Sequence, residues 1–150
     1  MQVDKGRILN VLLIEDNPGD VMLTQEALSI SHLNITLKVI YDGESALNYL
    51  LKNDPYQEAL VPDLVLLDIN LPRKSGFEIL SVVKKNKATL KIPVVILTTS
   101  TTHQDIIQAY DKQANCFISK PIGFNDFAQL IETLEKFWFS VVQLPPQNHA

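Results

Sequence analysis

Carboxylates, a hydroxyl and an ammonium stand where short apolar runs end. Residues 11–14 (VLLI) lead into Glu15-Asp16, residues 64–67 (LVLL) into Asp68, residues 94–97 (VVIL) into Thr98, and residues 116–118 (CFI) into Ser119-Lys120-Pro121. A further run, residues 37–40 (LKVI), leads into Tyr41-Asp42-Gly43, which reads as a plain turn and helix cap. If the runs 11–14 and 64–67 are adjacent strands, Glu15, Asp16 and Asp68 converge on one rim. Three carboxylates that close repel one another unless a cation lies among them. Oxygen-only ligands with open positions suit Mg²⁺, which keeps waters and bridges to phosphate oxygens. A carboxylate nucleophile, a divalent cation, a hydroxyl and an ammonium are the parts that phosphoryl transfer uses. Taken singly, each residue has a plainer role. Asp68 could cap a helix, Glu15-Asp16 could be a solvated turn, Thr98 a cap and Lys120 a surface lysine. The combination at four of five run ends is what points to chemistry.

The elements that must position these residues alternate along the chain. The five runs are continuous, rich in Val, Ile and Leu, and suit strands buried on both faces, as in a parallel sheet. Each is followed by a helical pattern. Asn17-Pro18 reads as a cap and first-turn proline, with Met22, Leu23, Ala27, Leu28 and Ile30 as the apolar stripe. Asp42 and Ser45 open a second helix carrying Ala46, Leu47, Leu50 and Leu51. Ser75 and Glu78 have capping-box spacing before Ile79, Leu80 and Val83. Thr102 and Asp105 precede Ile106, Ile107 and Tyr110, and Phe127, Leu130, Ile131 and Leu134 mark a last helix. Pro55 and Pro62 mark a long loop before the third strand, and Pro93 the start of the fourth. Five βα units with right-handed crossovers predict a doubly wound α/β sheet, whose ligands bind at the carboxyl ends of the strands.

Composition bounds the setting. The chain has 150 residues, 46% hydrophobic and 20% charged, with 17 acidic and 13 basic residues and a net charge of −4. That length suits one domain with its own core. The single Cys116 cannot form an internal disulfide, which fits a reducing, cytoplasmic setting. The start, MQVDKGRILN, lacks the apolar stretch of a signal peptide. No apolar run approaches the ~20 residues of a membrane span, and the acidity argues against non-specific nucleic-acid binding.

The motifs together resemble the receiver domain of two-component response regulators. They stand here as IEDNP, LLDINLPRKSG, ILTTS and CFISKP, across about residues 8–135. The resemblance implies a flavodoxin-like, five-stranded sheet of order 2-1-3-4-5 with five helices. It implies that Asp68 is the phosphoacceptor and also a Mg²⁺ ligand, with Glu15 and Asp16 binding the ion directly or through water and the Asn70 backbone carbonyl as a further ligand. Mn²⁺ or Ca²⁺ would be substitutes. Thr98 would donate to a phosphoryl oxygen, and Lys120 would pair with the phosphoryl group. Phe117 occupies the aromatic switch position, without the hydroxyl of a tyrosine. Asn70 and Ser100 fall where the family tunes the lifetime of the acyl-phosphate, and Lys120-Pro121 is a candidate cis bond. The phosphoryl donor would be a histidine kinase, because His32, His103 and His149 show no site-like clustering. Phosphorylation would draw Thr98 inward, as a switch residue together with Phe117, and shift the surface of the fourth helix, fifth strand and fifth helix. The protein would then be a phosphoprotein switch in phosphorelay signal transduction, not a turnover enzyme, although self-dephosphorylation is compatible with it.

The expected division is a receiver over residues 1–136 and an apolar tail over residues 137–150 within the same unit. That tail is too short for a DNA-binding output domain, which implies a receiver acting alone. Phe137, Trp138 and Phe139 step round a helix by ~100° each and cannot all face one core. Either one or two pack within the chain and the rest cover loops, or with Leu144 they are candidates for a dimer or partner surface. The FW…LPP ending and the loop DPYQEALVPD resemble the stand-alone response regulators paired with bacterial and cyanobacterial phytochromes, a subgroup inclined to dimerise through its C-terminal face. That resemblance implies a phytochrome-type kinase partner and a homodimer; a phosphorelay role for another kinase is the alternative.

Other classes fit less well. A haloacid-dehalogenase-like phosphatase needs an acid two residues beyond the nucleophile, where Asn70 stands. A nucleotide-binding module needs a phosphate-cradling Gly-rich loop, whereas all five glycines are isolated. A pseudo-receiver is disfavoured by the intact Asp68, Thr98 and Lys120.

Overall fold

Each of the five apolar runs forms a strand, and each strand is longer than the run that marked it. The computed structural model describes residues 8–29, 34–69, 71–72, 74–98 and 116–119. The strands are β1 (Ile8–Ile14), β2 (Asn34–Ile40), β3 (Leu64–Asp68), β4 (Val94–Thr98) and β5 (Cys116–Ser119); the helices are α1 (Pro18–Ser29), α2 (Gly43–Leu50) and α3 (Gly76–Lys85). All pairings are parallel, in the order β2-β1-β3-β4-β5. This is the doubly wound sheet and strand order that the sequence implies. The expected fourth and fifth helices, together with Ile30, Asn70, Ser100, Lys120, the Lys120-Pro121 bond and the aromatic tail, lie outside the described residues.

Two-residue periodicity splits the three inner strands between two cores. Leu12, Ile14, Val65, Leu67, Val94 and Ile96 face α2 and α3 on one side. Val11, Leu13, Leu64, Leu66, Val95 and Leu97 face α1 on the other. Covering on both faces is why these strands read as unbroken apolar runs. β2 departs from that expectation. Its residues alternate, with Asn34, Thr36 and Lys38 exposed and Ile35, Leu37 and Val39 packed toward α1. As an edge strand it is covered along one face; on the other only Ile40, at its end, is buried, while Lys38 interrupts the apolar run and lies 5.9 Å from the Tyr49 ring centroid.

The helix starts follow their caps. Asn17 Oδ1 accepts the Asp20 N–H at 3.1 Å ahead of α1. Asp42 accepts both the N–H (2.8 Å) and the hydroxyl (2.9 Å) of Ser45. Ser75 Oγ accepts the Glu78 N–H at 3.3 Å, while the Glu78 carboxylate pairs with Lys74. The buried face of α1 differs from the expected stripe. Val21, Thr24, Ala27 and Leu28 are buried, whereas Met22 is 60% and Leu23 37% exposed. Thr24 can enter the core because its hydroxyl donates to the Asp20 carbonyl at 2.9 Å, so a polar letter sits on the apolar face.

Candidate metal and phosphoacceptor site

The register of β1 and β3 builds the acidic rim. Ile14 pairs with Leu67, so Glu15 and Asp68, the next residues, come level at the carboxyl ends of neighbouring strands. By period two they continue the 11, 13 and 64, 66 positions to the same side of the sheet. The Glu15 N–H donates to the Ile40 carbonyl at 3.0 Å, which keeps this residue tied to β2. Glu15 and Asp68 are buried, at 3% and 6% exposure, and Asp16 is exposed. One carboxylate oxygen of each of the three residues lies within 4.8 Å of the others. The Asp16 N–H donates to Glu15 Oε2 at 3.2 Å, an ordering contact inside the group.

The loop after Asp68 is held by two glycines. At Gly76, the first residue of α3, a Cβ would collide with the Asp68 carbonyl oxygen and lie 2.6 Å from Ile69 Cα. Its N–H donates to the Ile69 carbonyl at 2.8 Å. At Gly43, the first residue of α2, a Cβ would collide with the Lys74 carbonyl and lie 2.8 Å from Lys74 Cβ. Two helix N-termini therefore close on the segment that carries Asp68. In the sequence, the signal for both seats is a glycine directly after each capping residue, Asp42 and Ser75.

The remaining strand ends follow the same edge. Asp68 pairs with Leu97, and Thr98 pairs with Ser119. The backbone of Thr98 thus stands one step beyond Asp68 on the next strand, and Lys120 follows Ser119 in the chain. For Thr98 and Phe117 the structure describes the backbone. A buried pair of carboxylates and an exposed third, all hard oxygen donors, fit a divalent cation and can present one carboxylate oxygen as a nucleophile.

The fold and this rim define a class: a parallel doubly wound protein with a carboxylate site at the strand ends. Residues 11–132 match the response regulator receiver domain, and the chain belongs to that family. Response regulator Rcp1 of Synechocystis sp. is 38% identical over 135 residues, which cover 90% of this chain and 92% of Rcp1. The crystal structure of the Mn²⁺-bound form of Rcp1 has a TM-score of 0.83 at 37% identity, covering 92% of this chain and 99% of that one. The phosphorylated cyanobacterial phytochrome response regulator RcpA has a TM-score of 0.85 at 38% identity, covering 93% of this chain and 100% of that one. The family is one of two-component signalling switches. No helix among the described residues is long and apolar enough to cross a membrane.

Proposed function

We propose that this protein is a stand-alone response regulator whose Asp68 accepts a phosphoryl group from a phosphohistidine of a partner kinase. The observation that carries the reading is the convergence of Glu15, Asp16 and Asp68 at the carboxyl ends of β1 and β3. A carboxylate oxygen of Asp68 attacks phosphorus, the P–N bond of the donor breaks, and the imidazole leaves with a proton. Glu15 and Asp16, with the Asn70 carbonyl, would hold Mg²⁺, which supplies neutralising charge for the phosphoryl oxygens. Thr98 donates its hydroxyl to a phosphoryl oxygen of the product, and Lys120 offers an ammonium to another. The added charge biases the region from β4 to β5 between two arrangements, with Phe117 changing its packing. The likeness to RcpA and Rcp1 supports a phytochrome-type kinase as the donor, and a cytoplasmic homodimer assembled through Phe137, Trp138, Phe139 and Leu144.

Incubation with Mg²⁺ and a small acyl-phosphate, followed by intact mass measurement, tests this. A single phosphoryl adduct is expected, absent without divalent cation and absent in Asp68→Ala. An unmodified wild-type chain would overturn the proposal.

A further inference from the structure

The opposite end of the sheet holds a cavity of about 630 Å³, formed where α2 and α3 end and β3 and β4 begin. Its volume falls within the range of small-molecule sites, roughly 300–1,000 Å³. Leu50, Val61 and Ile92 are among the apolar side chains lining it, and Lys52, Lys87 and Lys91, all exposed, add three ammonium groups. None of these lysines forms an ion pair among the described residues. The one acidic side chain among the described lining residues, Asp63, is buried, and its Oδ2 accepts the Asn10 N–H at 2.9 Å. Two helix C-termini contribute roughly half a negative charge each. With Asp63 they offset about two of the three ammoniums, so the described lining keeps a net positive charge.

A second observation concerns Lys52. It has φ = +58°, the left-handed conformation that follows a helix and that glycine or asparagine adopts most easily. A lysine held there is strained locally, yet it carries a cation to this cavity.

We propose that this cavity binds a small amphipathic organic anion: an apolar body on the Leu50–Val61–Ile92 surface, and a carboxylate, sulfonate or phosphate head against the lysines. β3 is five residues long, so the site lies about 16 Å from Asp68 along the strand. It is separate from the acidic rim and does not depend on phosphorylation.

The probe is 8-anilinonaphthalene-1-sulfonate, titrated into the full chain and followed by fluorescence and by amide chemical shifts. N-phenyl-1-naphthylamine, the same body without the sulfonate, is the neutral control. Saturable binding is expected, with shifts centred on residues 50–53, 61–63 and 86–92. The double charge reversal Lys87→Glu, Lys91→Glu should weaken the sulfonate at least tenfold and the neutral control less than twofold. Both positions are exposed, so an unchanged thermal midpoint establishes that the variant folds. Asp68→Asn should bind the probe as wild type does. Absence of saturable binding, shifts centred elsewhere, or equal affinity in wild type and the charge reversal would each overturn the assignment.

Discussion

Replacing Asp68 with asparagine removes one of three crowded charges while keeping the side-chain shape. The three carboxylates approach within 4.8 Å, a separation at which two unit charges repel by about 0.9 kcal/mol in water and about 3.5 kcal/mol at an effective dielectric of 20. Asp68 faces two such neighbours. Asp16 is exposed and belongs at the watery limit; Glu15 is buried, but its charge is eased by the Asp16 N–H. The metal-free protein should therefore gain up to about 2 kcal/mol from Asp68→Asn, which for a chain of this size raises the thermal midpoint by up to about 8 °C. The sign is opposite to that of most buried substitutions. Thermal unfolding in chelator, then in millimolar Mg²⁺, reads it directly. Mg²⁺ should stabilise wild type more than the variant, since binding to the native state adds stability according to affinity. An Asn variant no more stable than wild type in chelator would refute the reasoning, and so would equal stabilisation of both by Mg²⁺.

Other consequences follow from single contacts. Gly76→Ala adds a methyl where the Asp68 carbonyl lies, and should cost about 1–3 kcal/mol in urea unfolding and slow phosphorylation, although alanine is the better helix former. Asp42→Ala removes the cap that accepts two bonds from Ser45 and should cost about 1 kcal/mol in the same assay. Lys84 donates to the Leu90 and Ile92 carbonyls, and burial lowers its pKa. In the window between that lowered value and the ordinary 10.5 of a lysine, the unfolded chain binds more protons than the folded one, so this group makes stability rise with pH. The difference in urea midpoint between wild type and Lys84→Met should consequently shift in favour of wild type as pH rises through that window; a pH-independent difference would contradict it.

The sheet was legible because strands buried on both faces leave unbroken apolar runs, as at residues 64–67 and 94–97. The edge strand β2 is less legible, since LKVI resembles a buried run although Lys38 is exposed. The inner face of α1 is not legible from periodicity because Thr24 is satisfied by a backbone carbonyl. The acidic rim was legible from one rule, that chemistry gathers at strand carboxyl ends, once β1 and β3 were neighbours. The tie between Asp63 and Asn10 was not legible: it joins residues 53 apart and depends on that neighbour relation. The tight seats of Gly43 and Gly76 likewise depend on which backbone passes by, a fact of tertiary structure.

The central claim is that the carboxylate at residue 68 is the group that becomes phosphorylated. Borohydride reduces an aspartyl-phosphate to homoserine, leaving a permanent mark at the modified position. Treatment of the phosphorylated chain, digestion and peptide sequencing by mass spectrometry should find homoserine at position 68 and at no other aspartate. Homoserine at Asp16, Asp63 or another position, or none in a chain that carries the phosphoryl mass, would contradict the account.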